Sequence, residues 1–572
     1  MLLYSPRLPR SGAPLRVIAV SERSFDAELT VGRAGEAPVE APRRGAYPYW
    51  WVAEIPSPEP GVHTARLRGP GVHGCLRVEV ASADDSPTPP RPGWGTVWPV
   101  SRAWDRDLEN LYSAWIEKLF DDPLDAQPTW TVLHEVLRDP QRNFLFDHLG
   151  LGEDDPARHA PRIDPDCADL PYFLRAYFAF KLSLPFGYSR CTRGGSSGPP
   201  TCVRWSTSMT ASKIEGRHPA KRLGNFLAVN LANAVHSGAV RAAATDDAND
   251  FYPIKLARDT LRPGAIFADP YGHIMVVSRR VPQKDSQSGM LFAVDGQPDG
   301  TVSRRRFWRG NFLFSDDYSL GSPGFKRFRP VVVDGRRPRT LSNAEIARHP
   351  DWGDYSLEQY ASGVEGFYDL VDDVLNPNPI DPGRAMKETI QALDEQVRRR
   401  VLSVQNGVDF VRDHPGTVDM PEGPEIFETV GPWEDFSTPS RDMRLLIAID
   451  VVRGFPARVA RRPERYAMPE GRSREQIERD LVALLEREAG SRKFRYTRSD
   501  GSPFELTLAD VLSRARELEM AYNPNDCPEV RWAAPEASDE RATCKRRAPQ
   551  SQRERMQRYR PWFATRRRPR RD

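Results

Sequence analysis

Apolar and polar positions alternate in short runs over residues 1–83. The runs at 15–20, 25–31, 49–55, 61–67 and 75–80 each have the two-residue period of a half-buried strand, and turn residues separate them at even spacing. This predicts a small all-β sandwich, with Cys75 facing its core and His63 and His73 as ordinary strand or turn residues. The stretch 84–98 is rich in proline and predicts a stiff linker. The period then changes. Leu108, Leu111, Tyr112, Trp115, Ile116 and Leu119 recur at helical spacing, and shorter helical patterns follow at 130–137 and 144–149. Leu170, Phe173, Leu174, Tyr177, Phe178 and Leu182 mark an amphipathic helix, with Pro171 in its first turn. Further on, 274–277 and 290–294 are apolar runs that predict central strands. From 331 to 525 the pattern is mainly helical, with helices at 385–404, 443–452, 474–485 and 508–520. Residues 526–572 are polar and basic and end in an arginine run from Arg566 to Arg571, the pattern of a solvated tail.

A chain of 572 residues exceeds what one core supports, so these segments predict separate domains. The order is a β-sandwich over 1–83, a linker over 84–98, a mixed α+β domain over 99–330, a helical region over 331–525 and the tail. The net charge of +3 is small for this length, and gives no reason to expect a nucleic-acid partner. The arginine tail alone suggests contact with an acidic polymer or anionic surface. No apolar run is long enough to span a bilayer, and the first residues lack the basic-then-apolar pattern of a signal peptide.

Six cysteines bear on compartment and chemistry. Cys191 and Cys202 flank a Gly/Ser/Pro loop, and Cys527 and Cys544 flank another irregular segment. Each pair is close enough to close a small loop as a disulfide, which would favour the periplasm or the exterior; six reduced thiols in the cytosol is the alternative. No Cys-x-x-Cys appears and the histidines lack ligand spacing, so neither a metal nor an organic cofactor is expected.

Cys167 stands at the start of the helix that begins near Leu170, with Asp166 placed to cap it. Unpaired N–H groups at a helix start favour a thiolate, which predicts a lowered thiol pKa, opposed in part by Asp169. His273 opens the apolar run at 274–277, after the turn at 269–272. Asp295 and Gln297 follow the next strand, and either one suits the far nitrogen of His273. Cys167 and His273 thus form a candidate nucleophile and base. Cys191 is the rival nucleophile, with no helix behind it, and His236 the rival base.

The Asp-Cys-x-x-Leu helix start, the Leu-x-Pro-Gly-x-Ile turn at 261–266 and the Gly-His-Ile strand start resemble NlpC-type and CHAP-type cysteine peptidases. The N-terminal segment looks similar to an immunoglobulin-like module. The peptidase resemblance implies a papain-like fold, a helix bearing the cysteine packed on an antiparallel sheet bearing the histidine. It further implies hydrolysis of amide bonds in cell-wall (peptidoglycan) peptides, with Cys167 as nucleophile, His273 as base and the polar third residue near Asp295 or Gln297. Residues 188–258 then form a large insertion that reshapes the cleft. A thiol acyltransferase on the same chemistry and a catalytically silent envelope protein are the other classes compatible with these residues.

Overall fold

The structure, a computed structural model, describes residues 1–85, 96–195, 198–211, 214–284, 287–297, 299–335 and 337–570. The chain forms two compact units. The first comprises Met1–Lys284, Gly289–Phe307 and Phe314–Leu375, and the bulk of the second is the chain from residue 376 onward. The first compact unit thus runs past the expected boundary at 330, to Leu375. Most of the expected linker, residues 86–95, lies outside the described residues. Its last part is not a linker: Val97 and Trp98 are buried, and the Trp98 indole donates to the Leu184 carbonyl at 2.9 Å.

The first unit opens with seven strands in two antiparallel sheets. They are β1 (Leu2–Ser5), β2 (Leu15–Ser21), β3 (Glu28–Arg33), β4 (Val39–Ala41), β5 (Tyr49–Ile55), β6 (Gly61–Gly69) and β7 (Val72–Val80). One sheet has the order β1-β2-β5 and the other β4-β3-β6-β7. Val17, Ala19, Leu29, Val31, Trp51, Ala65 and Leu67 fill the core between them. Alternation explains why: residues two apart share a face, so each strand gives every second side chain to this core. The same rule corrects Cys75. Val78 and Val80 point inward on β7, so the odd-numbered positions face out, and Cys75 is exposed.

This sandwich is fastened to the helical segment after it rather than tethered beside it. The Trp50 indole donates to Glu117 at 3.1 Å, the Arg7 amide donates to the His148 carbonyl at 2.7 Å, and Arg106 bonds both Tyr47 and Glu22. Glu117 and Arg106 lie on α1 (Arg106–Leu119), whose N-cap is Asp105. After β8 (Thr129–Trp130) and α2 (Leu133–Leu137), the expected helix at 144–149 proves to be a set of turns. Next comes α3 (Asp169–Leu182). It is buried on every face, not amphipathic as expected. Its two cations are matched inside: Arg175 pairs with Glu109 and lies over the Trp104 ring, and Lys181 pairs with Glu153 and Asp154.

The expected insertion holds the hairpin β9 (Gly187–Cys191) and β10 (Cys202–Thr207), then α4 (Pro219–Asn225), which runs into a wider π-turn at Phe226–Leu231. The remaining strands are β11 (Phe251–Pro253), β12 (Ile266–Ala268), β13 (Ile274–Val281), β14 (Met290–Gly296), β15 (Val302–Arg306) and β16 (Gly324–Phe328). With β8 they make an antiparallel sheet in the order β11-β16-β12-β13-β14-β15-β8. Helix α3 packs on β13 and β14.

The second unit is mainly helical. Pro382–Asp413, Pro439–Arg453 and Arg474–Ser491 bury Ile390, Leu393, Ile449, Val452, Ile477 and Leu481 together. The pattern missed a hairpin, Lys493–Thr497 with Pro503–Thr507. The expected solvated tail is also corrected. Gln550–Ala564 is a helix whose Met556 and Phe563 enter the core, and Arg566 pairs with Asp450 and Glu519. Arg571, the end of the expected polymer-binding run, lies outside the described residues. No helix among the described residues is long and apolar enough to cross a membrane.

Burial of Glu117 beneath Trp50 makes the stability of the first unit pH-dependent. Burial pushes the Glu117 carboxyl up to about 7, with the Trp50 hydrogen bond opposing it. A raised carboxyl favours the folded state in full below its ordinary value of 4.5, and that contribution is lost as pH rises through about 7. The melting temperature is expected to fall between about pH 5 and pH 8, and to fall less in Glu117→Gln. Equal slopes in the two proteins would show that Glu117 does not titrate there.

Candidate functional site

The register of the central strands places three side chains on one face of the sheet. Val276 pairs with Val294 across β13 and β14, which sets Asp295 beside Met275, on the face that His273 shares two residues earlier. Across β14 and β15, Asp295 pairs with Ser303 and Ala293 with Arg305, so Arg305 lies diagonally from Asp295 on that face. Diagonal neighbours are within reach of long side chains. Accordingly His273 Nε2 bonds Asp295 Oδ2, and Arg305 Nε donates to the same oxygen at 2.6 Å. Asp295 is wholly buried, and its Oδ1 has no partner among the described residues. His273 is one-quarter exposed, so the ring reaches the surface on a buried base.

A tight turn aims the ring. The Asp269 amide donates to the His273 carbonyl at 2.8 Å, and the Tyr271 amide donates to the Asp269 side chain at 2.8 Å. Gly272 has φ +95°, a conformation that favours glycine, and Ser237 leaves little room for a side chain there. With Nε2 engaged by Asp295, Nδ1 is the ring nitrogen left for proton transfer.

The cysteine arrives from the other side. Asp166 behaves as a helix cap: its Oδ1 accepts from the amides of Ala168 at 2.7 Å and Asp169 at 2.9 Å, and its carbonyl accepts from Leu170 at 3.1 Å. Cys167 therefore sits in the turn that leads into α3. Its own amide is the one in this turn that donates to nothing among the described residues. The segment lies close over the end of β14, where a side chain on Gly296 would meet the Asp166 and Pro165 carbonyls at 2.6 and 3.1 Å. This places the half-buried Cys167 against the backbone around His273. Its Sγ is 3.8 Å from the Gly272 carbonyl oxygen, and the Ile274 amide lies near enough to favour the thiolate.

The electrostatics differ from the expectation. Burial, together with the carboxylates of Asp166 and Asp295, pushes the Cys167 thiol up to about 12, and the Ile274 amide opposes this only in part. The reason is burial first and the neighbouring carboxylates second, which together outweigh the helix start. Asp169 adds little at neutral pH, because burial and Asp166 push its own carboxyl up to about 8. Asp295 moves the other way. Burial raises it, but Arg305 and His273 prevail and hold it down to about 2. The resting site is therefore a neutral thiol against the Gly272 carbonyl, with the ring of the next residue, His273, bonded to an ionised carboxylate.

The rival residues fall elsewhere. Cys191 is joined to Cys202 in a disulfide and cannot act as a nucleophile in that state; Cys527 and Cys544 are likewise joined. His236 Nε2 bonds the Cys191 carbonyl. Gln297 does not meet His273: its backbone closes a turn with Thr301, and its side-chain nitrogen is buried without a partner among the described residues. Arg305 escaped the sequence reading, although the run Arg304, Arg305, Arg306 on an alternating strand places one arginine on the inner face beside the preceding acid. Among the described residues, one group of potential metal ligands lies within 4.8 Å, namely Cys527, Glu529 and Cys544, and two of these three are spent on the disulfide.

Two measurements check this site. Thiol titration of the denatured, unreduced chain is expected to find two thiols, Cys75 and Cys167, whereas six would show that neither disulfide forms. Iodoacetamide labelling followed by mass spectrometry is expected to modify Cys75 well before Cys167 at about pH 7. Asp295→Asn removes a nearby negative charge and is expected to speed labelling of Cys167 several-fold. An unchanged rate would show that the carboxylate does not bear on the sulfur.

No family model, no curated protein and no solved structure matches the chain, so the case for its chemistry rests on these residues themselves.

Proposed function

We propose that the first unit is a thiol-dependent amide hydrolase acting on cell-wall peptides, with Cys167 as nucleophile, His273 as base and Asp295 as its orienting partner. The observation that carries the reading is the thiol held against the two peptide groups flanking His273, whose Nε2 is engaged by Asp295. The substrate class comes from the resemblance to NlpC-type and CHAP-type peptidases. A helix start bearing the cysteine, packed on an antiparallel sheet bearing the histidine, is the arrangement that resemblance implies.

A thiol held near 12 is not a standing thiolate. The proton leaves Cys167 Sγ for His273 Nδ1 as the sulfur attacks the amide carbonyl, so base catalysis and attack coincide. The unengaged Cys167 amide donates to the developing oxyanion. The imidazolium, stabilised by ionised Asp295, then protonates the leaving amine and a thioester forms. Water attacks the thioester with His273 as base, releasing the carboxylic acid and restoring the thiol. Asp295 is held down to about 2, so its protonation is not expected to set the acid limb of the rate profile.

A second reading, a catalytically silent envelope protein, is favoured by the same raised thiol. Digestion of purified muropeptides separates the two. Wild type is expected to cleave them, Cys167→Ala to lose at least about a thousandfold in rate, and Cys75→Ala to keep full rate. Equal cleavage by wild type and Cys167→Ala would remove the proposed nucleophile. No cleavage by wild type, with Cys167 still refractory to labelling, would favour the silent reading.

A further inference from the structure

A second feature of the first unit lies at the far end of α3. A cavity of about 440 Å³ opens there, between the start of the sandwich and the last turn of the helix. This is the size range of small-ligand sites, roughly 300–1,000 Å³. One part of its wall is apolar, formed by Leu3, Leu8, Leu149 and Leu182, and Leu8 is left 40% exposed. Another part is formed by Arg7, Arg102, Ser101 and Ser183, of which Arg102 and Ser101 are exposed.

The charge balance of that wall is uneven. Arg7 reaches only the Ser183 hydroxyl, at 3.4 Å, and the Arg102 guanidinium makes no hydrogen bond or ion pair among the described residues. The nearby Asp105 is committed to capping α1, where it accepts from the Leu108 amide at 2.8 Å. The other basic groups do not alter the balance. Lys181 is paired with both Glu153 and Asp154 and offers no free positive charge, and burial with the adjacent Lys181 pushes His148 down to about 3, so it is uncharged. Two arginines without carboxylate partners therefore face one cavity. Arginine forks match carboxylate and phosphate oxygens, and an apolar wall beside them suits a hydrocarbon body.

We propose that this cavity binds a single-chain amphipathic anion, its carboxylate or phosphate-monoester head on Arg7 and Arg102 and its alkyl body against Leu3, Leu8, Leu149 and Leu182. Arg102 is anchored through its backbone, whose amide donates to the Ser183 carbonyl at 3.1 Å, so its side chain can be changed without releasing that segment.

Isothermal titration of the full chain with octanoate, octyl phosphate and octanol tests the proposal. Saturable binding of octanoate or octyl phosphate is expected, octanol at least about tenfold weaker, and affinity reduced about tenfold in Arg102→Gln and further in Arg7→Gln. The ratio of octanoate to octyl phosphate affinity identifies which head the site prefers. Arg102→Gln, whose side chain makes no contact needed for folding, keeps the test valid if Arg7→Gln loosens the sandwich. Octanol binding as tightly as the anions, unchanged affinity in Arg102→Gln, or no saturable binding of either anion would overturn it.

Discussion

The carboxylate of Asp295 is the group on which the candidate site depends. It is wholly buried, and an isolated buried carboxylate would cost several kcal/mol. Arg305 offsets that cost from one side and His273 from the other, both at the same oxygen. The arrangement is possible because three neighbouring strands place these residues diagonally on one face, a consequence of register rather than of any local motif. A one-residue slip between β14 and either neighbour would send one of the three to the opposite face. The carboxylate also acts on the sulfur: it stabilises a positive imidazole ring and, by the same sign, opposes a negative thiolate.

Much of this was readable from the chain. The alternating runs located five of the seven strands of the sandwich, and the turn–histidine–apolar run located β13 within its sheet. Cys167, His273 and Asp295 were named from local signals, and the structure brings them to one corner of the sheet. Both disulfide pairs followed from loop spacing. The strands missed, β1 and β4, have only four and three residues, too few to display a period.

What was not readable depends on packing between distant segments. Helix α3 carries the spacing of a one-sided helix, yet its polar side is covered by Glu109, Glu153 and Asp154 from earlier in the chain. The thiol is raised first by burial under the packed chain, then by Asp166 next to it and by Asp295 far along the chain, and no rule about helix starts contains the burial or the distant acid. The choice between Asp295 and Gln297 required the strand ends and register, because Asp295 is still within β14 whereas Gln297 lies just past it in a turn. The C-terminal segment misleads by composition. Its charges mask Met556, Tyr559 and Phe563, three apolar residues at helical spacing that suffice to anchor it.

The protonated state of Cys167 has a chemical consequence for the whole chain. Thiol–disulfide exchange and oxidation by peroxide proceed through the thiolate, and a group near 12 presents on the order of one thiolate in 10⁵ molecules at neutral pH. The chain also carries two cystines, one of them on the hairpin that follows the same helix. A sulfur held protonated in this way is slow to exchange with those cystines and slow to oxidise to sulfinic acid, so the free thiol and the two disulfides coexist in one chain without scrambling.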